Sequence, residues 1–192
     1  NKTVGIISVA FTISNALMIV YGSIGPLVFS HVAAVAGDEQ KSKFIAEEAP
    51  TIFVVFCLSA AILSVIAPLF IPIIFGEYYL ISGIVLTILL PGIVCSAMQR
   101  TFENYLFGRS HQGKMIWIHL SSIAIIGMLM SILGRLFGVY GLAWSITVGF
   151  LFSMLATAYL IKRIDHISIG TLLLPRKRDF DRLLLVVKSL YK

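Results

Sequence analysis

Cut at its charged residues, with His left uncounted, the sequence falls into five long uncharged runs at 3–37, 49–76, 78–99, 115–134 and 136–161. Each is at least 20 residues long, enough to cross a hydrocarbon core of about 30 Å as a helix rising about 1.5 Å per residue. Outer-membrane barrel strands alternate apolar and polar positions over about 10 residues, which excludes that architecture for these runs. The pattern predicts an all-α polytopic membrane protein. Its five transmembrane helices are expected at about 4–33, 50–75, 78–99, 115–134 and 138–161.

The first run would be about 50 Å long as one helix, more than a crossing needs. Gly22, Gly25 and Pro26 within it predict a kink, and Ser30 to Ala36 is expected to project into water before Asp38-Glu-Gln-Lys41. The second span is expected to start near Pro50, a residue suited to a first helical turn. Pro68 and Pro72 predict irregularity before Gly76, a candidate C-terminal cap. The fifth run carries Gly141, Ser145, Gly149, Ser153 and Thr157 at successive i+4 steps. That stripe allows close helix approach or lines a solute path. Gly83, Thr87, Pro91 and Cys95 in the third run, and Gly127 and Ser131 in the fourth, repeat it in weaker form.

Composition agrees with lipid. The chain is 58% hydrophobic and 12% charged, with mean hydropathy +0.97, where soluble domains carry about 25% charged residues. Its 192 residues suit about one domain, here 1–163, followed by a basic tail at 164–192. The net charge of +6 is placed by topology. One side holds only Lys2 and Arg135; the other holds Lys41, Lys43, Arg100, Arg109, Lys114, Lys162, Arg163, Arg176, Lys177 and Arg178. The second side is therefore expected to be cytoplasmic, which argues against a nucleic-acid partner and predicts a multi-pass protein of the cytoplasmic (inner) membrane with its C-terminus inside. In the tail, Pro175-Arg-Lys-Arg178 precedes Asp179, a candidate cap for an amphipathic helix through Lys192. That helix suits an anionic leaflet or another cytosolic segment. Cys57 and Cys95 sit in apolar runs and read as small buried hydrophobes, with no metal framework. The chain begins at Asn1 inside an apolar segment without a signal-peptide pattern, and reads as a piece of a longer chain.

Few residues offer chemistry. Pro91 frees the Thr87 carbonyl near mid-span, so Pro91-Gly92, like Pro26, is a candidate hinge or a static bend. Arg100 and Glu103 stand at i, i+3 near the cytoplasmic end of the third helix. They are candidates for a substrate path, with local pairing or snorkelling as the alternative. Asn15, expected to hydrogen-bond across helices, and His119 complete the candidate set. No phosphate-cradling loop, no His-Glu-x-x-His and no intramembrane acidic pair is present. The external turns are too short to hold an active site, so neither an enzyme nor a cofactor is expected.

Phe75-Gly-Glu-Tyr-Tyr79, Leu86-Thr-Ile-Leu-Leu-Pro-Gly92 and Asn104-Tyr-Leu-Phe-Gly-Arg109, with Gly25-Pro-Leu-Val-Phe-Ser30, Gly37-Asp38 and Phe137-Gly-Val-Tyr-Gly-Leu-Ala143, follow one another in an order that resembles the C-terminal half of polysaccharide flippases. These belong to the multidrug/oligosaccharidyl-lipid/polysaccharide exporter superfamily, and the similarity runs from about residue 4 to 163. The chain departs from the pattern at Ser110-His-Gln-Gly-Lys114, where Gly-Lys-Pro-like residues are usual. The resemblance implies a two-lobed fold of 12 to 14 helices with an absent N-terminal half, whose lobes rock around a central cavity. It implies translocation of a polyprenyl-diphosphate-linked oligosaccharide for cell-surface polysaccharide synthesis, with a polymerase or ligase as further partner. The alternatives are a cation-coupled multidrug exporter of the same superfamily and a non-transporting assembly subunit.

Overall fold

Residues of positive φ set the turns between long helices in the computed structural model, which describes residues 2–175. Helix α1 spans Lys2–Ala34, and Gly37, at φ 101°, leads into α2, Asp38–Phe75. Gly76, at φ 91°, caps α2 with its amide donating to the Pro72 carbonyl at 2.9 Å. A single 3-10 turn at Glu77–Tyr79 opens α3, Leu80–Gly108, and a second at Gln112–Lys114 opens α4, Met115–Asp165. A short α5, Ile169–Leu173, follows. The protein is all-α and polytopic.

Four helices are long and apolar enough to cross a membrane, yet the chain makes five antiparallel segments because α4 is a hairpin. As a rod its 51 residues would reach about 77 Å, more than twice a hydrocarbon core. Gly138 breaks it with φ 57° and ψ −129°, backbone angles that a side chain disfavours. Residues eight apart in a straight helix are separated by about 12 Å, whereas a Cβ on Gly141 would overlap the Leu133 carbonyl. Further along, Ser122 donates its hydroxyl hydrogen to the Gly149 carbonyl at 3.2 Å, and Gly149 lies against Ile126. The arms 115–137 and 139–165 therefore run side by side.

The long centre of α3 is mostly buried, while the apolar stretch of α4 faces mostly outward. Helix α3 touches α1, α2 and α4. Two apolar clusters stack along it, one around Val85, Leu86, Leu89 and Leu90, the other around Met98, Phe102, Tyr105 and Leu106. Ile62, Leu69, Ile73, Leu136 and Phe137 remain exposed on the outside, where a bilayer rather than water satisfies them. The i+4 stripe resolves as a packing surface, since Gly141, Ser145, Gly149, Ser153 and Thr157 are all buried. The weaker stripes pack only in part: Gly83 is buried against Pro68 and Cys95 is half-buried, while Thr87, Pro91, Gly127 and Ser131 are exposed.

Two helix bounds differ from the expected ones. Helix α2 starts at Asp38, not near Pro50, which lies inside it and is buried. Gly37 ends the preceding segment, and Asp38 and Glu39 complement the helix dipole in the first turn. Helix α3 runs to Gly108, beyond the expected span end at 99, and carries Arg100, Glu103 and Asn104. Pro26 lies inside α1, and Pro68 and Pro72 lie inside α2. Of the tail, α5 packs on α2 with Leu172 buried; the amphipathic helix expected from Asp179 lies outside the described residues.

The turn after α3 is a Schellman motif with a serine where glycine is usual. The Ser110 amide donates to the Phe107 carbonyl at 3.0 Å and the His111 amide to the Leu106 carbonyl at 2.9 Å. Ser110 sits at φ 60°, a conformation costing a non-glycine residue about 1–2 kcal/mol. Part of that is offset by the greater unfolded-chain entropy of glycine. Ser110→Gly should stabilise the protein by about 0.5–1 kcal/mol, read as a raised unfolding midpoint in detergent.

Candidate functional site

A cavity of about 500 Å³ opens between α1, α3 and both arms of α4. Helix α1 supplies Tyr21, Gly22, Gly25 and Pro26; α3 supplies Ser96, Gln99, Arg100, Glu103, Asn104 and Phe107; α4 supplies His119, Ser122 and Ser153. Positions 96, 99, 100, 103, 104 and 107 repeat at three and four, so α3 turns one polar stripe toward this space. Three of the four substrate-path candidates, Arg100, Glu103 and His119, meet here, with Pro26 of the hinge set.

Glu103 is held from two sides. Gln99 donates through Nε2 to Glu103 Oε1 at 2.8 Å, and His119 Nε2 lies 2.9 Å from the same oxygen. The carboxylate-bearing side chain is 13% exposed. The local Arg100–Glu103 pair expected at i, i+3 does not form; Glu103 reaches across to α4 instead. Arg100 is exposed and makes no salt bridge among the described residues. Behind it, Tyr21 and Thr101 share a buried hydrogen bond at 2.7 Å that ties α1 to α3. The cavity therefore presents Arg100, outside salt-bridge distance of any acid among the described residues, beside a Glu103 carboxyl group that Gln99 and His119 hold.

The other candidates lie apart. Asn15 is exposed on α1 with Ser8 and Thr12, and no hydrogen bond across helices is found for it among the described residues. Pro91 is exposed and walls a largely apolar groove between α2 and α3, together with Cys57 and Cys95. Both thiols are free, and Cys57 is exposed rather than buried. Next to the proline the helices are close: a Cβ on Gly92 would come within 2.7 Å of the Thr147 Cα. Thr147 donates its hydroxyl hydrogen to the Ile88 carbonyl at 2.8 Å, next in sequence to the Thr87 carbonyl that Pro91 frees.

A second polar cluster was not anticipated. Arg109, at the end of α3, bridges Asp165 at the end of α4 and Asp38 at the start of α2, the latter at 2.9 Å. Tyr105 donates to Asp165 Oδ2 at 2.8 Å, and Ser42 to Asp165 Oδ1 at 3.0 Å. The Arg109 and Asp165 side chains are 8% and 2% exposed. This clamp joins three helix ends on the side carrying Lys41, Lys43 and Lys114, in agreement with the parity of the spans. At the opposite end, Gly5 of α1 lies beside Tyr79.

Compared with known proteins, the chain matches no family model, no curated protein and no solved structure. Function has to be read from the geometry. Among the described residues no group of three or more His, Cys, Asp or Glu side chains is placed to hold a metal ion. A guanidinium in a cavity with no salt-bridge partner among the described residues can receive an anion, and its planar fork suits phosphate oxygens.

Proposed function

We propose that this chain is part of a transporter that moves a polyprenyl-diphosphate-linked oligosaccharide from the cytoplasmic to the outer leaflet for cell-surface polysaccharide synthesis. The observation that carries the reading is Arg100, which lines the cavity without a salt-bridge partner while Glu103 is engaged by Gln99 and His119. A diphosphate head would meet Arg100, the glycan would occupy the polar space, and the polyprenyl tail would stay in lipid. The flippase resemblance supports the same reading and adds an expected second lobe closing the cavity. In this reading the basic end faces the cytoplasm, and a polymerase or ligase takes the delivered product.

Glu103 in the cavity wall is the observation that favours the runner-up, a cation-coupled multidrug exporter. Its occupied oxygen and the nearby Arg100 both oppose an organic cation. Deleting the gene should trap lipid-linked repeat units on the cytoplasmic leaflet and remove surface polysaccharide. Unchanged polysaccharide together with increased sensitivity to organic cations would replace the flippase reading with the exporter.

A further inference from the structure

At the basic end, on the outer face of the α4 hairpin, a pocket of about 340 Å³ lies between the two arms. Lys114, Trp117 and Ile118 wall it from the first arm, and Ala156, Tyr159, Leu160 and Arg163 from the second. These positions follow helical spacing, so each arm offers one face in the same order. A cation stands at the end of the arm, an aromatic ring one turn deeper, and aliphatic surface beside and below it. Trp117 is 74% exposed and Tyr159 58%. No acidic residue lines the pocket, and neither Lys114 nor Arg163 makes a salt bridge among the described residues.

We infer that this pocket binds an anionic glycerophospholipid. Trp and Tyr mark headgroup depth on a membrane-spanning helix, and paired basic residues between spans at that depth suit lipid phosphates. The phosphate would lie between Lys114 and Arg163, the glycerol region against Trp117 and Tyr159, and an acyl chain along Ile118, Ala156 and Leu160. A choline head would bring its own cation against both basic groups, so the pocket selects an anionic head. The inference needs only the membrane-spanning fold and stands whatever solute the cavity carries.

Trp117 reports on its own site. The chain has two tryptophans, so the full-length protein carrying Trp144→Phe leaves Trp117 as the single tryptophan in this sequence, excited selectively over the tyrosines at the red edge of the band. Phosphatidylglycerol brominated on its acyl chains should half-quench it at a mole fraction about tenfold below that needed with brominated phosphatidylcholine. Lys114→Gln with Arg163→Gln should bring that ratio close to one, with helix content unchanged by circular dichroism. Should the double variant fail to fold, Lys114→Glu alone, at an exposed position, should lower the ratio at least threefold. Equal quenching by the two lipids would overturn the inference. So would a preference that survives the substitutions, which would assign it to other basic residues of the chain.

Discussion

Arg109→Ala is expected to destabilise the protein by about 3–5 kcal/mol, the usual cost of leaving a buried charge without its partner. Asp165, 2% exposed, would keep only the Tyr105 and Ser42 hydroxyls. Asp165→Ala should cost about as much, because among the described residues Arg109 would retain as charged partner only Asp38, which is 76% exposed, beside the Tyr105 hydroxyl at 3.2 Å. Replacing both residues by apolar ones, Arg109→Met with Asp165→Leu, should cost much less than the sum, since no charge is then stranded. Chemical unfolding in detergent micelles measures all three. A single-variant loss below about 1 kcal/mol would mean that the clamp behaves as a solvated surface pair.

Gly141→Ala is the second large effect, expected at about 3 kcal/mol, the upper end of the range for overpacking. The added methyl group would collide with the Leu133 carbonyl, a backbone atom that cannot rotate away, so the α4 arms would have to separate. Gly127→Ala provides the contrast: nothing lies within 4 Å of a Cβ there. Better helix propensity should make that change neutral or stabilising by up to about 1 kcal/mol. Unfolding midpoints of the two variants should move in opposite directions. A matching small shift in both would contradict the tight hairpin at Gly138.

The all-α architecture of long apolar helices was legible because a run without charge, longer than a bilayer is thick, leaves a chain little alternative. The bend at Gly138 was legible too, as a polar interruption around Arg135 between two such runs. Helix ends were less so. Pro50 suggested a start because proline favours the first turn, but proline also persists inside a helix that surrounding packing holds, and the Gly37–Asp38 signal outweighed it. Arg100, Glu103 and His119 each stood out as polar groups near lipid. Their meeting depended on how α4 lies against α3, which no local spacing encodes.

The clamp was missed for the same reason. Arg109 read as one of several loop cations and Asp165 as the start of a tail, 56 positions later in the sequence. A usable signal did exist: both charges close a span on the same side, and charges at that depth tend to find each other. Asn15 failed in the opposite sense, since a lone polar group on α1 suggested a helix–helix bond that is absent among the described residues.

The most direct test of the transport reading is binding of a polyprenyl-diphosphate oligosaccharide to the purified full-length protein in detergent, compared with Arg100→Ala. A hydrogen bond to a charged group is worth about 1.5–3 kcal/mol, so the substitution should weaken binding by about 10- to 100-fold. The uncharged polyprenol should bind neither protein. Equal affinity of both proteins for the diphosphate would remove Arg100, and with it the cavity, from substrate recognition.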